Sequence, residues 1–281
     1  MSVDRWLNLL VSIALIEMMV LVGLQVSFTA LRDTAADWWL VTRAVVADYL
    51  LFPLLAILLL AAFEADPMVA AGFLILAVCP GAPFGPTFAG IARANVAQAA
   101  GLMVILAGSS AILAPLLLRL LLPWVVGAEA TRIDAAGIIA ALMLTQLLPL
   151  LLGLVVRHWW PALADRLVSP FELVSKVLSL AVAGLILATQ FQMLAAIRLR
   201  GFVGMLMLLI GSLVIGWLAG GAKRDSRKTM ALTTALRNVG VGLVIVTGNF
   251  AGTPAVSAAL AYGIVEVLGS LLVALWWRRS A

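Results

Sequence analysis

Along the chain, long runs of apolar residues alternate with short clusters of charged and turn residues. Nine runs stand out, with approximate limits 7–31, 41–63, 68–93, 95–124, 134–158, 171–197, 201–220, 228–250 and 254–277. An α-helix needs about 20 apolar residues to cross about 30 Å of hydrocarbon, and each run is of that order. Outer-membrane strands would be about ten residues long and strictly alternating, a pattern these runs lack. Backbone groups in lipid must be satisfied within their own segment, so the runs predict helices. Most connections are under ten residues, which makes consecutive helices antiparallel neighbours. The pattern predicts an all-α polytopic membrane protein with nine transmembrane helices, one membrane domain over residues 1–281.

Two of the nine runs are interrupted. The third contains Cys79-Pro80-Gly81-Ala82-Pro83-Phe84-Gly85-Pro86, five helix breakers in the seven positions from Pro80. A single proline kink is common in membrane helices, but this density goes beyond a kink. The eighth carries Thr233-Thr234-Ala235-Leu236-Arg237-Asn238-Val239-Gly240, a polar cluster with one full charge. Each interrupted run is the middle of a three-helix group. Arg43 to Cys79 is 36 residues and Arg200 to Arg237 is 37, while the two groups enter the membrane from opposite sides. Paired broken segments in two inverted halves point to a transporter binding site. The pattern predicts a core of two inverted three-helix repeats with broken crossing helices (41–124 and 201–278). A three-helix panel bundle (7–31 and 134–197) would stand beside it.

Composition agrees. The chain is 64% apolar and 11% charged, with a mean hydropathy of +1.17. Nine spans of about 20 residues leave no room for a soluble catalytic domain. The formal charge of +5 would suggest nucleic acid were the basic residues not confined to short loops, so no nucleic-acid partner is expected. Placing the N-terminus outside gives the inner side twelve basic residues, including Arg32, Arg43, Lys223 and Arg278. The outer side receives five: Arg5, Arg119, Arg132, Arg198 and Arg200. That asymmetry predicts an inner-membrane protein with its N-terminus outside and its C-terminus cytoplasmic. Trp6, Trp38, Trp39, Trp124, Trp159, Trp160, Trp217, Trp276 and Trp277 all fall at run ends, the position of an interfacial belt. The run from Leu7 is too long for the apolar part of a secretory signal, and is read as the first span.

Little in the sequence suggests an enzyme. With one cysteine, Cys79, and one histidine, His158, no familiar metal cluster can be built and no cofactor is implied. Gly108-Ser109-Ser110 looks like an intramembrane-protease motif only superficially, since no membrane-embedded histidine exists to activate it. Arg237 is the sharpest residue, because an arginine cannot shed its proton and needs a counter-charge, carbonyl ends or water in mid-membrane. Glu266 in the last run is the first choice of partner, Glu17 the second and Asp48 the third. A structural Arg237–Glu266 pair and a functional one both remain open. An unpaired Glu266 could carry a proton. Gln98, Gln146, Gln190 and Asn249 read as links between helices. Half-helix N-termini at the breaks favour anionic groups.

Several motifs resemble those of the bile acid:sodium symporter family. Leu21-Val22-Gly23-Leu24-Gln25 resembles the end of its first conserved helix, and Ala77-Val78-Cys79-Pro80-Gly81-Ala82 its CPGG motif. Asn95-Val96-Ala97 and Ala111-Ile112-Leu113-Ala114-Pro115-Leu116 look like the following helix, Arg237-Asn238-Val239-Gly240 the second crossing helix, and Gly269-Ser270-Leu271-Leu272 the last. The resemblance implies two inverted units whose broken helices cross beside a panel, with the first helix of ten-span members missing. It also implies substrate contacts from Gly81, Ala82, Pro83, Thr87, Asn238 and Glu266. Sodium-using members carry side-chain oxygens where this chain has Gly85, Pro86, Ala99, Met103, Thr233 and Arg237. Thr233, Arg237 and Glu266 therefore read as the coupling group, with Arg237 standing in for sodium. The expected function is a secondary active transporter of a small organic, carboxylate-bearing solute, working by alternating access without sodium. The alternatives are proton or sodium symport of a bile-acid-like or other organic solute, and a non-transporting membrane receptor or scaffold.

Overall fold

The computed structural model describes residues 3–127, 135–195 and 197–279, and it is helical, with no strand among the described residues. Arg132 lies outside the described residues, as do the side chains of Arg5, Trp6 and Gln190. In chain order the helices are α1 (Val3–Gln25), α2 (Phe28–Ala36), α3 (Trp38–Ala62), α4 (Pro67–Ala77), α5 (Gly85–Ile91) and α6 (Val96–Val126). They continue with α7 (Ala136–Trp159), α8 (Pro161–Ala195), α9 (Leu199–Ala219), α10 (Arg224–Ala235), α11 (Val239–Asn249) and α12 (Pro254–Arg279). Among the described residues, six segments are long and apolar enough to cross a membrane: α3, α6, α7, α9, α10 with α11, and α12. Counting the bent α1–α2 pair as one span gives seven. The chain is a multi-pass membrane protein.

Helix starts follow from the sequence. Asp37 accepts from the Leu40 N–H, Asp66 from Met68 and Asn95 from Gln98, so α3, α4 and α6 each begin on a side-chain cap. The first apolar run departs from expectation, because its helix stops at Gln25 and the chain turns by 84° into α2. The cause is Ser27, whose hydroxyl accepts from the Ala30 N–H and starts a new helix inside the run. The run over 171–197 belongs to a longer helix that begins at Pro161.

Two helices widen in mid-course into π-type turns, Ala47–Leu51 in α3 and Met143–Leu147 in α7. Each turn is followed at once by a proline in the next helical turn, Pro53 and Pro149. Proline lacks a donor and crowds the carbonyl four residues back, and a widened turn relieves that clash. The turns also re-aim polar side chains inward. Asp48 sits in the first and Gln146 in the second, where Gln146 donates to Ser110 Oγ at 2.8 Å and to the Ala107 carbonyl.

Close backbone approach joins the helices, as expected where lipid removes the hydrophobic drive for association. A Cβ on Gly153 of α7 would stand 2.8 Å from Gly23 Cα of α1, and one on Gly216 of α9 would stand 2.6 Å from Ala231 Cα of α10. The main buried apolar cluster then runs through the middle, with Leu15 and Met19 from α1, Ile75 from α4, Met103 from α6 and Leu243 from α11. Leucines such as Leu58, Leu116 and Leu272 are exposed around the outside, facing lipid. Trp38, Trp124, Trp159 and Trp276 are exposed at helix ends, where an interfacial belt belongs.

Candidate functional site

The two interrupted runs meet. Residues 78–84 leave helical structure between α4 and α5, and residues 236–238 do so between α10 and α11. The Asn238 N–H donates to the Cys79 carbonyl at 2.8 Å, and Asn238 Nδ2 reaches the Gly81 carbonyl at 3.4 Å. Asn238 Oδ1 accepts from the Val241 N–H at 3.2 Å and so caps α11. Gly81 has φ +86°, and a Cβ there would lie 2.5 Å from Ala107 N of α6. Only glycine fits both demands.

Beside this crossing lies a sealed ionic cluster. The Arg237 guanidinium is fully enclosed, and Nη2 stands 2.8 Å from Asp48 Oδ1, itself fully enclosed. Nη2 also donates to the Thr234 carbonyl at 2.7 Å, and Nη1 reaches the carbonyls of Ala77 and Asp48 at 3.4 Å each. Thr234 and Ala77 lie at the carbonyl ends of α10 and α4, where the partial negative charge of a half-helix gathers. Below the guanidinium, the Phe52 ring centroid is 3.7 Å from Cζ. Thr234 Oγ1 donates to Asp48 Oδ2 at 3.3 Å. The side-chain partner of Arg237 is thus Asp48, ranked third from sequence. Glu266, ranked first, instead accepts the Arg237 backbone N–H at 2.9 Å. The reason is geometric: the guanidinium turns toward the π-type turn of α3 while the main chain of the break faces α12. Glu17, ranked second, is buried on α1, and neither of its carboxylate oxygens has a hydrogen-bond partner among the described residues.

A cavity of about 400 Å³ opens where both breaks face α1, α8 and α12. Leu15 and Met18 of α1, Pro83 and Phe84 of the first break, and Ile264 and Val267 of α12 make it apolar. Its polar features are Asn238, Ser179 and the first turn of α11 at Val239 and Gly240. The Gly240 N–H has no acceptor among the described residues. Arg237 borders the cavity through its main chain, since its guanidinium is wholly covered.

The structure therefore separates the residues expected to form one site. Pro83 and Asn238 border the cavity, and Gly81 and Ala82 shape the break behind it without lining it. Thr87 is exposed on α5, outside the lining, and Glu266 is buried on the far side of α12 from Ile264. Thr233 is buried on α10 and its hydroxyl has no hydrogen-bond partner among the described residues. Sequence reasoning missed Phe52 and Ser179, and named Gly240 only as part of the second break. Phe52 had a signal in its position four residues after Asp48, and Ser179 in being one of three hydroxyl residues, with Ser175 and Thr189, in the run 171–197.

Residues 12–197, more than half of the chain, match the model of the Sodium Bile acid symporter family. The chain belongs to this family. Among similar proteins, the chain is 22% identical to probable sodium/metabolite cotransporter BASS2, chloroplastic, of Oryza sativa subsp. japonica, over 99% of its own length and 66% of the rice protein. It is 24% identical to the uncharacterized sodium-dependent transporter YocS of Bacillus subtilis (strain 168), over 99% of its own length and 86% of that protein. It is 28% identical to probable sodium/metabolite cotransporter BASS1, chloroplastic, of Arabidopsis thaliana, over 83% of its own length and 58% of that protein. These relatives of the symporter family are named as transporters, not enzymes. The first break falls inside the matched range, and the second is reached by the alignments that cover nearly the whole chain.

Proposed function

We propose that this member of the sodium bile acid symporter family is a secondary active transporter. It moves a small organic solute with an apolar body and a carboxylate head by alternating access, without sodium. The observation that carries this reading is the cavity, which touches both helix breaks on one wall and α1 and α8 on the other. The nine crossings are α1, α3, α4 with α5, α6, α7, α8, α9, α10 with α11, and α12. The broken helices and their neighbours form the core, and α1, α7 and α8 form the panel. The N-terminus is outside, in the cell membrane of a bacterium.

The solute's body lies against Leu15, Met18 and Val267. Its head lies at Asn238 and the Gly240 N–H, where the positive end of α11 favours an anion. Arg237 does not touch the solute. It holds the carbonyl ends of α4 and α10 together with Asp48, and its guanidinium takes up the carboxylate and carbonyl oxygens that a hard cation would need there. This is the basis for sodium independence, in contrast to the sodium named for the relatives.

The test compares the thermal midpoint of purified protein in sodium chloride and in choline chloride at equal ionic strength. A ligand held by the folded state alone at 100 times its dissociation constant adds about 2.7 kcal/mol. Equal midpoints up to several tenths molar salt are expected, and a sodium-specific rise overturns sodium independence. Uptake into proteoliposomes across a panel of labelled monocarboxylates separates a transporter from a scaffold, which would accumulate none.

A further inference from the structure

The buried cluster sets one cation against two carboxyl groups. Arg237, Asp48 and Glu266 are each at most 1% exposed, and Arg237 and Asp48 cancel one another across 2.8 Å. Glu266 has no cation of its own. Its Oε1 accepts only the Arg237 backbone N–H, and Oε2 accepts no hydrogen bond among the described residues. The other buried cation among them, Lys228, is engaged elsewhere, donating to the Ala92 carbonyl at 3.0 Å. An ionised Glu266 would leave one uncompensated negative charge in a site sealed from water, which is strongly unfavourable.

We infer that Glu266 is a proton-binding site and that a proton is the exchangeable cation of the broken-helix cluster. The surroundings suit a neutral carboxyl. Tyr262 and Ser270 stand four residues to either side of Glu266 on α12, on the same helical face, and all three are buried. The Ser270 hydroxyl, like Glu266 Oε2, has no hydrogen-bond partner among the described residues. The charged and titratable groups that face Glu266 are Arg237 from the break and Tyr262, whose hydroxyl has no hydrogen-bond partner among the described residues. Asp48 of α3 and Cys79 of the first break act on the cluster through Arg237.

This placement couples the proton to the solute, and that consequence rests on the cavity as the solute site. Glu266 holds the N–H of Arg237, the residue next to Asn238 and three before Gly240. Loss of the proton puts a negative charge behind the position proposed for the solute's carboxylate, and its gain removes that repulsion. Proton and carboxylate then bind together and cross together.

The test reads the carboxyl itself and needs no solute. Infrared difference spectra of the purified full chain in choline chloride are recorded between acidic and alkaline pH, in water and in deuterated water. A protonated-carboxyl C=O band that shifts on deuteration is expected in the parent protein and is lost in Glu266→Gln. Should Glu266→Gln fail to fold, Glu266→Asp keeps the carboxyl and displaces the band. Spectra that superimpose on those of the parent in this region, for whichever variant folds, overturn the proposal, as does a parent protein without the band. A sodium-dependent melting shift would instead strike the sodium-independent reading and leave this band unaffected, so the two failures are distinguishable.

Discussion

At Arg237 a mid-membrane charge cut off from water is made tolerable by three kinds of contact at once: a carboxylate, carbonyl ends and an aromatic face. Removing one partner of such a pair strands the other, at a cost of about 3–5 kcal/mol. Asp48→Asn and Arg237→Gln should therefore each lower the thermal midpoint strongly, whereas Asp48→Asn with Arg237→Gln should lose much less than their sum. Additive losses in that double-mutant cycle would show that the ion pair is not the unit of stability. The sequence announced that Arg237 needed a partner, because an arginine deep in an apolar run has no other recourse. It did not rank the candidates correctly, since Asp48 is aimed by a π-type turn that hydropathy cannot register. Glu266 was legible as a buried acid, but its attachment to backbone rather than to the guanidinium depends on which way one side chain turns.

At the scale of elements, the two breaks were legible because prolines, glycines and a charge interrupt otherwise uniform apolar runs. The bend after α1 was not, for Val26-Ser27-Phe28 reads as a continuation and only the Ser27 cap ends the helix. The first break makes a sharp prediction through two glycines four residues apart. Gly81 is left-handed and pressed on the main chain of α6, while a Cβ on Gly85 would meet nothing within 4 Å. Gly81→Ala must combine a left-handed strain of about 1–2 kcal/mol with displacement of the Ala107 backbone. It should destabilise by more than about 2 kcal/mol, and it should pull the Cys79 carbonyl from the Asn238 N–H. Gly85→Ala should be neutral, or stabilising by up to about 1 kcal/mol, because it only narrows the unfolded ensemble. Thermal melts of the two variants side by side check this. Equal behaviour would mean that the break yields locally and that its contact with α6 does not fix it.

At the scale of the whole molecule, the proposed transport divides the helices that carry the breaks from the helices that face them across the cavity. Alternating access requires that division to move, with α1, α7 and α8 shifting against the broken helices so that the cavity opens to each side in turn. The packing allows a relative motion to be read directly. Ile13 of α1 and Leu272 of α12 are 46% and 67% exposed to lipid, so cysteines there accept spin labels without disturbing a contact. The native Cys79 is fully buried and should remain unlabelled. Ile13→Cys with Leu272→Cys should give a distance distribution with two populations, because the conformers differ by rearrangement of packed surfaces rather than by continuous bending. A solute that binds one conformer better would reweight the populations without creating a third. One narrow distance, unchanged by pH and by every monocarboxylate tried, would instead describe a rigid body, and the cavity between the two helix groups would then be a binding pocket and not a pathway.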